Sequence, residues 1–166
     1  MIQQKQQLGK CKSAPRVTES RINLRRFRDS DAKAVADLSN ANSQFFQYPS
    51  VTPDFIVRIS RDPKYDMFVL EDDSRIVGFC GINHASWPLA EMGPLCVRAD
   101  YRRQGFGRIL VQRIIEFARR LNNLGIIIKV RPSNIGAQRF FRALGFEKSH
   151  KEMVHGELVI VMKYEL

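Results

Sequence analysis

The chain has 166 residues, 44% hydrophobic and 27% charged, a composition that supports one domain with a real core and argues against a disordered or fibrous chain. A net charge of +10 favours an anionic partner: nucleic acid, an anionic membrane surface or a phosphate-rich cofactor. No apolar run approaches the roughly 18 residues of a membrane span, and Cys11, Cys80 and Cys96 show neither CxxC spacing nor His clustering, so neither a disulfide framework nor a metal site is expected.

Residues 1–20 are rich in Gln, Lys and Ser and lack periodicity, which predicts a mobile tail ahead of a domain over 21–166. The tail has no apolar h-region, so a cytoplasmic location is expected. "RINLRRF" (21–27) alternates as a strand, and "DSDAKAVADLSNA" reads as a helix capped by Asp29 or Ser30. Residues 42–62 predict a short helical piece broken by Pro49 and Pro53, then a helix carrying Phe55, Ile56 and Ile59. "YDMFVLE" and "RIVGFCGIN" flank a "DDS" turn and predict a hairpin. "AEMGPLCV" (90–97) is a further strand. "FGRILVQRIIEFARRL" places its apolar residues on one helical face. "GIIIKV" (125–130) predicts a strand buried on both faces. A short helix opens near Ser133 or Asn134 and ends at Gly145, and two antiparallel strands close the chain. The order predicts an α/β or α+β layered domain with one βαβ unit.

"RRQGFGR" (102–108) sits between a strand and a helix. Such a turn is an anion site, because the first N–H groups of a helix lack partners and glycine lets a phosphate approach the backbone. GxxxxGK[ST] is absent, which excludes a P-loop. The dinucleotide fingerprint fails too: its third glycine is Leu110, and no acidic residue follows the next strand. RxxGxG remains, filled by Arg102, Gly105 and Gly107.

"LCVRADYRRQGFG" resembles the LxVxPxxRGxGxG stretch of the GNAT acetyltransferase superfamily. "NIGAQRFFRALGF" is similar to that superfamily's NxxAxxFYxxxGF helix, at Asn134, Ala137, Phe140, Gly145 and Phe146. The resemblance implies a mixed, mostly antiparallel sheet flanked by helices, with a splayed parallel pair of strands, 90–97 and 125–130. It implies acetyl-CoA as co-substrate, in the gap between that pair. Backbone at Leu95, Cys96 and Val97 would hold the pantetheine arm. Amides of Arg103, Gln104, Gly105, Phe106, Gly107 and Arg108, with Arg102 leading the motif, would hold the pyrophosphate, the later glycines facing the phosphates. Asn134 and Phe141 would complete the cofactor site. The family's Pro is Ala99 here and its first Gly is Arg103.

Acetyl transfer needs a neutral amine, a polarised thioester carbonyl and a group to take the proton. By the same resemblance Glu91, six residues before Val97, is the candidate base, set against a plain strand-edge charge. The family's usual acid, a Tyr, is Phe141 here, and Phe cannot donate a proton. Tyr48, Tyr65, Tyr101 and Tyr164 do not replace it by motif. Two readings stay open: thiolate departs with help from water, or the chain binds acyl-CoA without turning over. Cys96 reads as a small buried residue rather than a nucleophile. Trp87, Phe45, Phe46 and Tyr48 fall where the family shapes its acceptor pocket, with core packing the alternative role of the two Phe; His84, His150 and His155 read as ordinary strand or loop residues, His84 being placed to line the acceptor cleft. The acceptor, a protein amine or a small amine, is left open, as is a homodimer. A nucleic-acid-binding reading rests on Lys5, Lys10, Lys12, Arg16, Arg21, Arg25, Arg26 and Arg28, without any binding-module motif to support it.

Overall fold

The computed structural model describes residues 22–45 and 50–166. The tail expected over 1–20, and Phe46, Tyr48 and Pro49, lie outside the described residues. In chain order the elements are β1 (Ile22–Arg26), α1 (Ala32–Asn40), α2 (Pro53–Ser60), β2 (Tyr65–Asp72), β3 (Arg75–Asn83), β4 (Leu89–Val97), α3 (Phe106–Arg120), β5 (Gly125–Val130), α4 (Ile135–Ala143), β6 (Glu147–Val154) and β7 (Glu157–Glu165). The strands form one sheet in the order β1-β2-β3-β4-β5-β7-β6. Every pairing is antiparallel except β4 with β5.

The expected hairpin is β2–β3. Asp73 and Ser74 both adopt left-handed φ (45° and 68°), as a two-residue turn matched to strand twist requires. Met67 and Val69 of β2 face α1 and α2, whereas Phe68 and Leu70 face α3. This explains the unbroken apolar run: the sheet is covered on both sides there. Leu110 and Ile114 of α3 are fully buried against the sheet, each contributing about 1.5–3 kcal/mol.

Three local expectations are corrected. Pro53 does not break a helix; it opens α2 with Thr52 as cap, since Pro at the first helical position lacks an N–H that would be orphaned anyway. Neither Asp29 nor Ser30 caps α1. Residues Asp29–Asp31 form a 3-10 turn, and Asp31 instead accepts from the Arg28 N–H at 2.8 Å. β5 is buried on one face only: Ile126, Ile128 and Val130 enter the core, while Ile127 and Lys129 are half-buried opposite.

Asp31 anchors the entry to α1. Arg25 bonds it at 2.7 Å and Glu71 at 2.9 Å. Burial opposes the Asp31 charge, but the guanidinium and the Arg28 N–H outweigh it and hold the carboxyl below the ordinary range. The Glu71 carboxyl is lowered by the same guanidinium.

Candidate active site

β4 and β5 pair only at Leu89↔Gly125, Ala90↔Ile126 and Glu91↔Ile127. Beyond Glu91 they part, and β4 continues paired to β3 alone. The strand register shows why. Between the pairs Ile82↔Met92 and Cys80↔Leu95, β4 spends three steps where β3 spends two, so Gly93-Pro94 forms a bulge. A bulge bends its strand, and Pro94 brings no N–H for a neighbour. The gap is therefore written into β4.

Past the end of β4 comes a 3-10 turn, Ala99–Tyr101, then the glycine turn and α3. Gly105 caps α3 at φ 89°, and a Cβ there would meet nothing within 4 Å. The space before the first N–H groups of α3 is thus open to an anion. Arg103 is also left-handed, at φ 62°, where the family pattern has glycine. Arg103, Gln104 and Arg108 are exposed. Gly107 has a packing role too: a Cβ there would lie 3.2 Å from the Phe140 ring, so it lets α3 pack closely on α4. Its N–H and that of half-buried Phe106 remain in the first helical turn.

Arg102 turns inward. Its Nε donates to the Val97 carbonyl at 3.0 Å and its Nη2 to Asn42 Oδ1. One lone pair of the Val97 carbonyl, expected to serve a ligand, is therefore engaged already. Arg131, just past β5, donates to the Gln44 carbonyl at 3.1 Å and to Glu157 at 3.1 Å. Residues 42–45 are so bound to the ends of both parted strands.

Leu95 and Val97 are half-buried against the α3 side, while Cys96 points to the α1 side. Cys96 donates to the Leu38 carbonyl at 3.7 Å, and burial pushes its thiol up to about 12. That is no nucleophile at neutral pH. Asn134 is the cap of α4, its side-chain oxygen accepting from the Ala137 N–H at 3.0 Å. Phe141 is 4% exposed, edge-on to Phe140 and Phe146 with centroids 5.0 and 5.3 Å away.

Glu91 stands beside the parting strands, on the face away from α3. Its Oε2 lies 3.1 Å from Lys129 Nζ, which also reaches Glu152 at 3.3 Å. Burial opposes the Lys129 charge, but the two carboxylates hold its pKa above the ordinary value. Oε1 of Glu91 is left for a second partner. The sequence did not link these residues, because nothing in it announces that β4, β5 and β6 bring them together.

Tyr65, which no motif picks out, stands at the bulge. A Cβ on Gly81 would fall 1.9 Å from its hydroxyl and one on Gly93 3.0 Å away, so two glycines on neighbouring strands admit this ring to the bulge. The only available signal was glycine inside two strands. His84 lies 3.3 Å from Asp66 and 6.3 Å from the Phe117 ring of α3. Trp87 is 69% exposed and donates to the Asn122 carbonyl at 3.3 Å. Among the described residues no His, Cys, Asp and Glu group suits a metal ion, and no helix is long and apolar enough to cross a membrane.

Residues 33–146 match the model of the acetyltransferase (GNAT) family. An uncharacterized N-acetyltransferase of Methanocaldococcus jannaschii is 34% identical over 102 residues, covering 58% of this chain and 44% of that protein, so the aligned part is less than half that relative's length. The ribosomal-protein-S18-alanine N-acetyltransferase of Escherichia coli shares the fold at TM-score 0.72 and 19% identity, over 87% of this chain and 93% of that one. The yncA protein of Salmonella typhimurium, solved with its cofactor acetyl-CoA, does so at TM-score 0.75 and 17% identity, over 87% and 93%.

Proposed function

The chain belongs to the GNAT acetyltransferase family, and from that premise we propose that it transfers the acetyl group of acetyl-CoA to a primary amine by direct attack. The observation that carries this reading is the parting of β4 from β5 beside Glu91, with the open glycine turn beyond the end of β4.

In this reading the pyrophosphate meets the first N–H groups of α3 in the space before Gly105. The pantetheine arm lies along β4 past the bulge, where β5 no longer pairs. The acceptor amine approaches from the Glu91 side. Its nitrogen attacks the thioester carbonyl, the C–N bond forms and the C–S bond breaks. Glu91 takes the amine proton, directly or through water, while Lys129 holds the carboxylate in place. The thiolate leaves and is protonated from water. A thiol pKa of about 8.5 makes it a fair leaving group without an acid.

Glu91→Gln tests the reading. The rate at neutral pH should fall about 10²-fold or more, with acetyl-CoA affinity little changed. The deficit should shrink as pH rises towards the amine pKa, because solvent then supplies neutral amine. Full activity at pH 7 would return Glu91 to a strand-edge charge. A second reading is favoured by Phe141, a buried phenyl where the family has its acid: an acyl-CoA-binding protein without turnover. It predicts acetyl-CoA binding with no acetyl-CoA consumed across a panel of amines and peptide N-termini.

A further inference from the structure

Arginines gather a second time away from the glycine turn. Arg25 and Arg26 of β1 and Arg113 and Arg120 of α3 line a cavity of about 320 Å³ with Phe68 and Phe117. At about 1.5 Å per residue, Arg113 and Arg120 stand about 12 and 22 Å along α3 from Gly105. The Arg26 guanidinium lies 5.3 Å from the Phe117 ring centre, and that of Arg113 lies 5.9 Å from Phe68. These rings orient the guanidinium planes.

Charge compensation fades across the cavity. Arg25 is matched by Asp31 and Glu71. Arg26 has Asp66 at 2.8 Å, a carboxylate it shares with His84. Arg113 reaches Glu116 only at 3.7 Å. Among the described residues, Arg120 forms no ion pair. No carboxylate lines the cavity. A depression of about 450 Å³ adjoins it, sharing Arg26 and Phe117. Its lining includes Leu121, His84, Asp62 and Asp66, and Arg61, which is paired to Asp29 at 2.8 Å.

We propose that the two depressions form a second ligand site, separate from the acetyl-transfer centre, for a phosphate ester of a small uncharged group such as a nucleoside. The phosphate sits among Arg26, Arg113 and Arg120, where it relieves the repulsion between cations and accepts paired guanidinium hydrogen bonds. The uncharged part rests over Phe117, His84 and Leu121. Both volumes fall in the range of small-molecule sites, about 300–1,000 Å³. Asp62, which lines the second depression and not the first, would repel a further phosphate there, which favours a single terminal phosphate over a continuous nucleic-acid backbone.

The experiment titrates the full chain, saturated with acetyl-CoA so that the glycine turn is filled. The probes are inorganic phosphate, adenosine, AMP, and a uridine hexamer with and without a 5′-phosphate. AMP should bind more tightly than phosphate or adenosine alone. Among the hexamers only the 5′-phosphorylated one should compete with AMP. Arg113→Gln with Arg120→Gln should cut AMP affinity about tenfold or more while leaving acetyl-CoA affinity unchanged, which also reports an intact fold. Arg119→Gln with Arg142→Gln, an equal loss of charge outside the lining, should leave AMP affinity as it was. An equal loss in both pairs would reduce the effect to net charge and overturn the site. So would AMP failing to bind at about 10 mM, or hexamer binding that ignores the 5′-phosphate.

Discussion

Gly105 and Arg103 occupy the same turn with the same backbone hand, and they make opposite predictions. Gly105→Ala adds a methyl group at φ 89°, where an L side chain costs about 1–2 kcal/mol. No clash adds to this, because the new Cβ meets no atom within 4 Å. For a domain of this size the melting point should drop about 2–8 °C. Arg103→Gly relieves the same penalty at φ 62° and should recover about 1 kcal/mol. In stability the double variant should sit near the parent chain. In binding it should not, since the alanine methyl fills the space in which the proposed site puts the pyrophosphate. Urea unfolding at pH 7 measures the first quantity. Acetyl-CoA titration measures the second, with the double variant expected to lose about tenfold or more. Acetyl-CoA affinity within threefold of the parent in Gly105→Ala would refute the assignment of the pyrophosphate to this turn.

Phe141→Tyr should destabilise the fold by about 1–3 kcal/mol in a thermal melt, because its ring edge is enclosed by Phe140 and Phe146 and a new hydroxyl there has no partner; a raised kcat with unchanged stability would mean that the position opens towards the thioester. Asp31→Asn weakens a part-buried pair with Arg25, which keeps Glu71, and should cost about 1.5–3 kcal/mol at pH 7 by urea unfolding. Because the Asp31 carboxyl is held low in the folded state, its contribution is present above the unfolded pKa of about 4 and is lost as pH falls through the folded value, so the gap between variant and parent should narrow as pH falls below about 4. Gly81→Ala should cost about 1–3 kcal/mol by overpacking, since its methyl would fall 1.9 Å from the Tyr65 hydroxyl. A double-mutant cycle with Tyr65→Ala should remove most of that cost, and additivity would mean that the two do not touch.

Where local pattern decides the outcome, sequence reading sufficed. Asp73-Ser74 between two apolar runs yields the hairpin, and the 3.6-residue spacing from Phe106 to Arg120 yields α3. Two motifs in the right order gave the family and the sheet class. Local pattern cannot rank strands across a sheet, and what went unseen depends on that rank. Lys129 sits in an otherwise apolar segment, and only the order β4-β5-β7-β6 turns it into the partner of Glu91 and Glu152. Arg102 leads the glycine motif, but that it also reaches Asn42, just past the end of α1, needs the fold. Asn134 reads as a cofactor contact, although an Asn three residues before Ala137 is also what a helix cap looks like. The bulge at Gly93-Pro94 was visible as two residues that suit strands poorly, but its effect, releasing β4 from β5, needs the neighbour's identity.

The bonds from Arg102 to Asn42 and from Arg131 to Gln44 make residues 42–45 a cross-beam between two uprights, β4 and β5, that otherwise lean apart. A cross-beam fixes span. The width of the opening is set from outside it, by a segment that forms no part of the sheet. One upright carries the glycine turn just beyond it, and the other stands beside the β6–β7 hairpin through Glu157. Asn42 is buried, and its amide is tied in turn to the Leu38 carbonyl at 2.8 Å. A fault at this one side chain therefore loosens the end of α1 and the brace on Arg102 together. Of the two bonds only the one at Asn42 depends on a side chain, so the brace is exposed to substitution there and not at Gln44, which gives its carbonyl.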